Sequence, residues 1–144
     1  MIDVGVRGMK DGGSDMGRTL EMLNSIEEKG QEFDYYLSST ASLIIGTVLG
    51  VEACISGVSL SVPKLITEIY NSMMDRDISR AIDLYGKAMK VRSILGAKCG
   101  RAIAAYTVLN KKGVSVGTCK APWQSLSPDD EEWLIKELNK LGVI

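Results

Sequence analysis

The 144-residue sequence contains no histidine, which removes Ser-His-Asp and Cys-His catalysis from what the chain can do alone. Any reaction chemistry must run on lysine, carboxylate, hydroxyl or backbone groups. The three cysteines, Cys54, Cys99 and Cys119, are widely spaced and form no CxxC pair. They read as reduced, half-buried thiols rather than zinc ligands or disulfide partners, and no metal or cofactor is expected. The lysine with the most suggestive setting is Lys10, in the run Gly8-Met9-Lys10-Asp11 followed by Gly12-Gly13-Ser14-Asp15. An amine there can serve as a nucleophile, or be a surface lysine where a strand passes into a helix. The local pattern leaves both open.

The elements that must position Lys10 follow from periodicity. Asp3 to Lys10 alternates weakly and reads as a short strand ending in a glycine-rich turn. Asp15 to Lys29 reads as a helix capped by Ser14 or Asp15, with Met16, Leu20, Leu23 and Ile26 on its inner face and Gly30 ending it. Phe33 to Leu37 is a second strand. Ser38, Ser39 and Thr40 can cap an apolar helix over 41–49, expected to be largely buried because it is apolar on nearly all sides. A third short, buried strand spans Ala53 to Val58. The order strand–helix–strand–helix–strand is that of parallel βαβ units. From Ser61 onward the pattern is helical. One helix opens at Pro63, with Leu65, Ile66, Ile69, Tyr70 and Met73 inward. A long one is capped by Asp77, with Ile78, Ala81, Ile82, Tyr85, Ala88 and Met89 inward. A third runs from Arg101 to Asn110, an irregular segment from Val114 to Leu126, and a final helix from Pro128 with Trp133, Leu134, Leu138 and Leu141 inward.

Composition narrows the partners. A formal net charge of -1 leaves no basic field for phosphates, so nucleic acid is not an expected partner. The most apolar run is about half the ~20 residues needed to span a bilayer, and no membrane association is expected. The first residues lack the apolar run of a signal peptide; a soluble, cytoplasmic protein is the expectation.

Gly8-Met9-Lys10-Asp11 resembles the G-[IVM]-K-[DE] signature of the dihydrodipicolinate synthase / N-acetylneuraminate lyase family, the class I pyruvate-dependent aldolases. The register that follows is similar too. Leu37-Ser38-Ser39-Thr40 falls where the family has S-G-[DY]-[DE], and Leu49 to Ser56 where it has LGG-x-G-[VA]-I-S. Ser61-Val62-Pro63 fits the start of the helix after the barrel, and Ala121 to Leu126 the approach to the last helix. The resemblance implies an α/β fold: the last three β/α units of a TIM (β/α)8 barrel over residues 1–60, and a helical carboxy-terminal extension over 61–144 packed on the barrel. It implies a Schiff-base lyase or aldolase in which Lys10 condenses with pyruvate at the carboxyl end of strand six. Such a lysine must react as the free base, which desolvation or neighbouring cations favour. The iminium then withdraws electrons from the adjacent carbon and permits carbon–carbon bond formation or cleavage.

By the same resemblance Ile55 matches a residue whose backbone faces bound pyruvate, and Gly8 a position whose small size leaves room beside the lysine. Ser38 falls in the substrate-binding loop, although Ser38, Ser39 and Thr40 replace the family's glycine and acids, which argues against sialic-acid-like specificity. Asp11 and Asp15 read as turn and cap residues. Pyruvate and an aldehyde are the implied small-molecule partners, and a homo-oligomer, a tetramer, the implied assembly. The family's Gly-Thr-Thr/Ser-Gly-Glu loop and its catalytic tyrosine have no counterpart here, so the resemblance covers a carboxy-terminal half. Two other functions compete: a non-catalytic barrel half that binds a carbonyl ligand or serves assembly, and a helical interaction domain built on 61–144.

Overall fold

A computed structural model describes residues 5–13 and 15–144. Asp3 and Val4 of the expected first strand, and Ser14 as the alternative cap, lie outside the described residues. The chain divides into two compact units, Met1–Ser56 and Gly57–Ile144.

The first unit alternates strands and helices. Strands β1 (Gly8–Asp11), β2 (Asp34–Leu37) and β3 (Ala53–Cys54) form a sheet in that order, and both pairings are parallel. Helix α1 (Met16–Lys29) joins β1 to β2. It starts at Asp15, whose carboxylate accepts from the Arg18 amide, and ends at Gly30 in the left-handed region with φ 57°; glycine takes that conformation without steric cost. Its inner face is Met16, Met22, Leu23 and Ile26, packed on Tyr35, Leu37 and Val51. Leu20, expected inward, is exposed. Thr19 holds the inner position instead, its hydroxyl satisfied by the Asp15 carbonyl at 3.1 Å.

The second crossover is shorter than expected. A 3-10 turn over Thr40–Ser42 leads into helix α2 (Leu43–Val48). Leu43 and Gly46 are buried, but Ile45 and Val48 are exposed, so the expected all-round burial does not hold. The helix has a sheet on one side only, against which two of its faces cannot both pack. The third strand is likewise short. Its ladder reaches one residue further through the Ile55 amide, which donates to the Leu37 carbonyl at 2.7 Å; a 3-10 turn over Gly57–Leu60 follows.

The second unit is helical: α3 (Pro63–Met74), α4 (Ile78–Gly96), α5 (Arg101–Lys111) and α6 (Pro128–Lys140). Proline opens α3 and α6 in their first turns, where its missing amide costs nothing. Asp77 and Ser127 cap α4 and α6 by accepting from the amides of Arg80 and Asp130. The core comprises Ile69, Ala81, Ala88, Val91, Leu95, Ala105, Val108, Leu134 and Leu138, all with almost no exposed surface. Lys112 ties the end of α5 to the start of the unit by donating to the Ser61 carbonyl at 2.7 Å. Ile78 and Ile82, expected inward, are exposed; the buried line of α4 runs through Ala81, Ala88, Val91 and Leu95. Among the described residues no helix is long and apolar enough to cross a membrane.

The contrast between Ile82 and Leu138 is measurable. Leu138→Ala opens a cavity in a fully buried site and is expected to cost about 2–5 kcal/mol. Ile82→Ala should stay within about 0.5 kcal/mol of the parent. Urea unfolding of both variants checks this, and a comparable loss in both would place Ile82 in the core after all.

Candidate active site

The register of the three strands sorts side chains between the two faces of the sheet. Met9 lies beside Tyr35, Lys10 beside Tyr36 and Asp11 beside Leu37, while Tyr36 pairs with Ala53 and Leu37 with Cys54. Neighbours in register share a face, and successive residues alternate. Met9, Asp11, Tyr35, Leu37 and Cys54 therefore lie on the side covered by α1 and α2. Gly8, Lys10, Tyr36 and Ala53 lie on the opposite side. Continuing the alternation by one residue puts Ser38 and Ile55 there as well. Gly8, Lys10, Ser38 and Ile55 thus fall on one face; Lys10, Ser38 and Ile55 lie at or just past the carboxyl ends of their strands, while Gly8 opens β1. Lys10 is exposed on it, Ile55 is 54% exposed, and Gly8 and Ser38 are half-buried.

Gly8 answers to a demand from β2. A Cβ at this position would lie 2.8 Å from both the Cβ and the carbonyl oxygen of Asp34, a clash that only movement of the strand backbone could relieve. Tyr36 was not singled out from the sequence, yet its register places it directly beside Lys10. Strict alternation from Lys10 across the ladder is the signal that finds it, once the pairing is known.

The covered face fixes where Lys10 emerges. Asp11 is 6% exposed. Its Oδ1 accepts from the Gly13 amide at 2.7 Å, closing the turn after β1, and its Oδ2 accepts from the Tyr35 hydroxyl at 2.8 Å. One carboxylate so fastens the turn to the neighbouring strand, immediately after the lysine. The Gly13 amide, then the Tyr35 hydroxyl, hold the Asp11 carboxyl below its ordinary range, against the opposing effect of burial. Arg18, 3.8 Å away and largely exposed, adds little. Burial pushes the Tyr35 hydroxyl up, and the adjacent Asp11 reinforces this. Asp11 and Asp15 are the turn and cap residues expected.

The ends of β2 and β3 are joined in the same way. The hydroxyls of Thr40 and Ser56, both buried, are in hydrogen-bond contact. The Cys54 thiol donates to the Ser39 carbonyl at 3.2 Å, and burial raises its pKa. Ser39 accepts from the Ala41 amide. Of the three hydroxyls after β2, Ser39 and Thr40 have structural bonds, while Ser38 lies against Gly12, whose Cβ position is 3.7 Å from Ser38 Oγ.

Known proteins share the fold of this chain over part of their own length. No family model matches the chain. The sequence is 28% identical over 136 residues to a 4-hydroxy-tetrahydrodipicolinate synthase of Ehrlichia canis (strain Jake), a match covering 92% of this chain and 45% of the relative. In structure the chain superposes on a variant of the Sulfolobus solfataricus 2-keto-3-deoxygluconate aldolase with a TM-score of 0.86 at 20% identity, covering 98% of this chain and 47% of that one. On the Proteus mirabilis N-acetylneuraminate lyase the TM-score is 0.83 at 16% identity, over 96% and 45%. The resemblance to the dihydrodipicolinate synthase / N-acetylneuraminate lyase family is borne out over part of its length. The fold is a partial (β/α)8 barrel with carboxy-terminal helices. The chain spans about half the length of the curated relative it matches.

Asp11 offers a direct test of what holds the site. Asp11→Asn leaves the Tyr35 hydroxyl and the Gly13 amide with a weaker acceptor and should cost about 1–3 kcal/mol. Because the folded-state value of Asp11 is depressed, its contribution is fully present above the ordinary carboxylate range and is lost as pH falls through the folded-state value. Urea midpoints from pH 7 downward should therefore converge for parent and variant. A constant gap down to the acid end would contradict the assignment.

Proposed function

We propose that this chain supplies the covalent lysine of a Schiff-base-forming pyruvate lyase or aldolase, of the dihydrodipicolinate synthase or 2-keto-3-deoxy sugar acid aldolase kind. The observation that carries the reading is the position of Lys10, at the carboxyl end of a parallel strand and on one face with Gly8, Ser38 and Ile55. Barrel enzymes place their reacting groups at that end of the strands. The relatives and neighbours are a synthase, a lyase and an aldolase by name, which supports carbon–carbon chemistry.

In this mechanism the Lys10 amine adds to the ketone carbon of pyruvate, and loss of water gives the iminium. Loss of a methyl proton yields the enamine, whose carbon attacks the aldehyde carbonyl; hydrolysis frees the product and the amine. The reverse sequence cleaves the bond. Gly8 leaves space next to the lysine, Ile55 presents its backbone to the bound pyruvate, and Ser38 offers a hydroxyl to the aldehyde portion. The protein so read is cytoplasmic, needs no cofactor, and assembles as a homo-oligomer, a tetramer. Residues 61–144 act as the helical extension of the barrel unit 1–60.

A second reading rests on a specific observation. Lys10 is exposed on its face, whereas imine chemistry gains from exclusion of water. Taken alone, the 144-residue chain then acts as a non-catalytic barrel half for carbonyl binding or assembly.

Reductive trapping separates these readings. Pyruvate followed by borohydride should modify the peptide carrying Lys10, and Lys10→Ala should abolish the adduct. Lys10→Arg should abolish it as well, since a guanidinium stays charged. An equal adduct on the alanine variant would remove Lys10 from the mechanism. An adduct without turnover of a 2-keto-3-deoxy acid would favour the second reading for the chain alone.

A further inference from the structure

The helical unit Gly57–Ile144 contains a cavity that the lysine chemistry does not use. It has a volume of about 760 Å³ and lies between the start of α5 and the irregular segment before α6, lined by Arg101, Ile103, Tyr106, Cys119, Lys120 and Trp123, among others. Small-molecule sites typically enclose about 300–1,000 Å³, so the space suits a ligand of modest size.

The wall of this cavity is fastened in place. Asn110, near the end of α5, holds the irregular segment with both atoms of its amide. Its Nδ2 donates to the Gly117 carbonyl at 2.8 Å, and its Oδ1 accepts from the Val116 amide at 3.1 Å. Further along, the Trp123 amide donates to the Lys120 carbonyl at 3.1 Å, closing a turn. The Trp123 ring lies close over the α5 start: a Cβ on Gly100 would be 3.7 Å from its Cζ3. Trp123 is nevertheless 64% exposed, and Tyr106 38%. A large aromatic ring held against backbone yet open to water presents a ready stacking surface.

The lining charge has one sign. Arg101 and Lys120 are its ionised side chains, and neither forms an ion pair with a carboxylate among the described residues. Ile103, 6% exposed, provides an apolar floor. A planar apolar body fits against Trp123, Tyr106 and Ile103, and an anionic group satisfies the two cations.

We propose that the cavity bounded by Arg101, Tyr106, Lys120 and Trp123 is a binding site for a small aromatic carboxylate, with the ring stacked on Trp123 and the carboxylate held by Arg101 and Lys120. The site is independent of Lys10 and of the proposed reaction. Asn110 is its positioning residue, acting through the segment that carries Lys120 and Trp123.

The test titrates the full chain with 1-naphthoate, with the uncharged 1-naphthalenemethanol and with acetate, by calorimetry. Naphthoate should bind, the alcohol about tenfold more weakly or worse, and acetate undetectably at the same concentrations, since a charge-assisted contact of ~1.5–3 kcal/mol corresponds to roughly tenfold or more. Arg101→Gln, Lys120→Gln and Trp123→Ala should each weaken naphthoate about fivefold to tenfold or more. The exposed Arg101 and Lys120 variants should leave the unfolding midpoint unchanged. Asn110→Ala should weaken binding although Asn110 does not touch the ligand, and bound naphthoate should slow alkylation of Cys119 by iodoacetamide. Equal affinity for acid and alcohol would overturn the proposal in favour of an unspecific apolar surface. So would absence of naphthoate binding at millimolar concentration. Self-association that Trp123→Ala abolishes, with no naphthoate binding, would assign the face to a second copy instead.

Discussion

The arrangement of the first unit depends on the bond between Asp11 and Tyr35. The strands are four, four and two residues long, so the ladder contributes few hydrogen bonds by itself. A carboxylate buried at the end of β1 would be costly if unpaired. Here it is repaid twice, by the Gly13 amide within its own turn and by the Tyr35 hydroxyl on the next strand. Breaking either bond strands a buried polar group, which makes the register between β1 and β2 specific rather than merely favourable. Once Asp11 faces the helices, Lys10 must face the other way, because neighbouring residues of a strand alternate.

Packing on the helix side makes the same choice. Leu37 and Tyr35 bury nearly all their surface against α1 and Val51, each contributing about 1.5–3 kcal/mol relative to exposure. Close approach requires small residues at two places. Gly46 in α2 leaves room for Leu37, whose Cδ1 would sit 2.6 Å from a Cβ there. Gly8 allows Asp34 to pass beside β1. The first glycine serves the covered face and the second the strand pairing, so both help to position the side chain opposite Tyr36.

Much of this was legible in the sequence because its signals are local. Asp15, Asp77 and Ser127 mark helix starts, Gly30 marks a helix end, and Pro63 and Pro128 occupy first turns; each acts through bonds within a few residues. The run Gly8 to Asp11 located the candidate lysine for a similar reason. What failed depended on neighbours. Leu20 and Thr19 are adjacent on α1, and hydropathy favours leucine inward. Thr19 can be buried because its hydroxyl bonds back to the Asp15 carbonyl, an option that apolar periodicity does not register. Ile78 and Ile82 follow a helical period faithfully, but periodicity defines a stripe without saying that another helix lies against it. Tyr36 was hidden for want of the register, which no single strand encodes.

The two faces of the sheet end in opposite conditions, and this difference bears on chemistry. The helix side is sealed by Met9, Tyr35, Leu37 and Asp11, with every polar group named there bonded. The other side exposes Ile55 as well as Lys10. Apolar area left in water forgoes about 25 cal/mol per Å², and the outer edges of β1 and β3, unpaired among the described residues, forgo ladder bonds. Strands laid against those edges would remove both penalties, as closure does in a barrel. The same layer would exclude water from the amine and strengthen every electrostatic contact around it. Stability and the proposed reaction would therefore both gain from the same covering. The residues of this unit fix where the amine stands; on the proposed reading, a surface that closed over it would favour its reactive form.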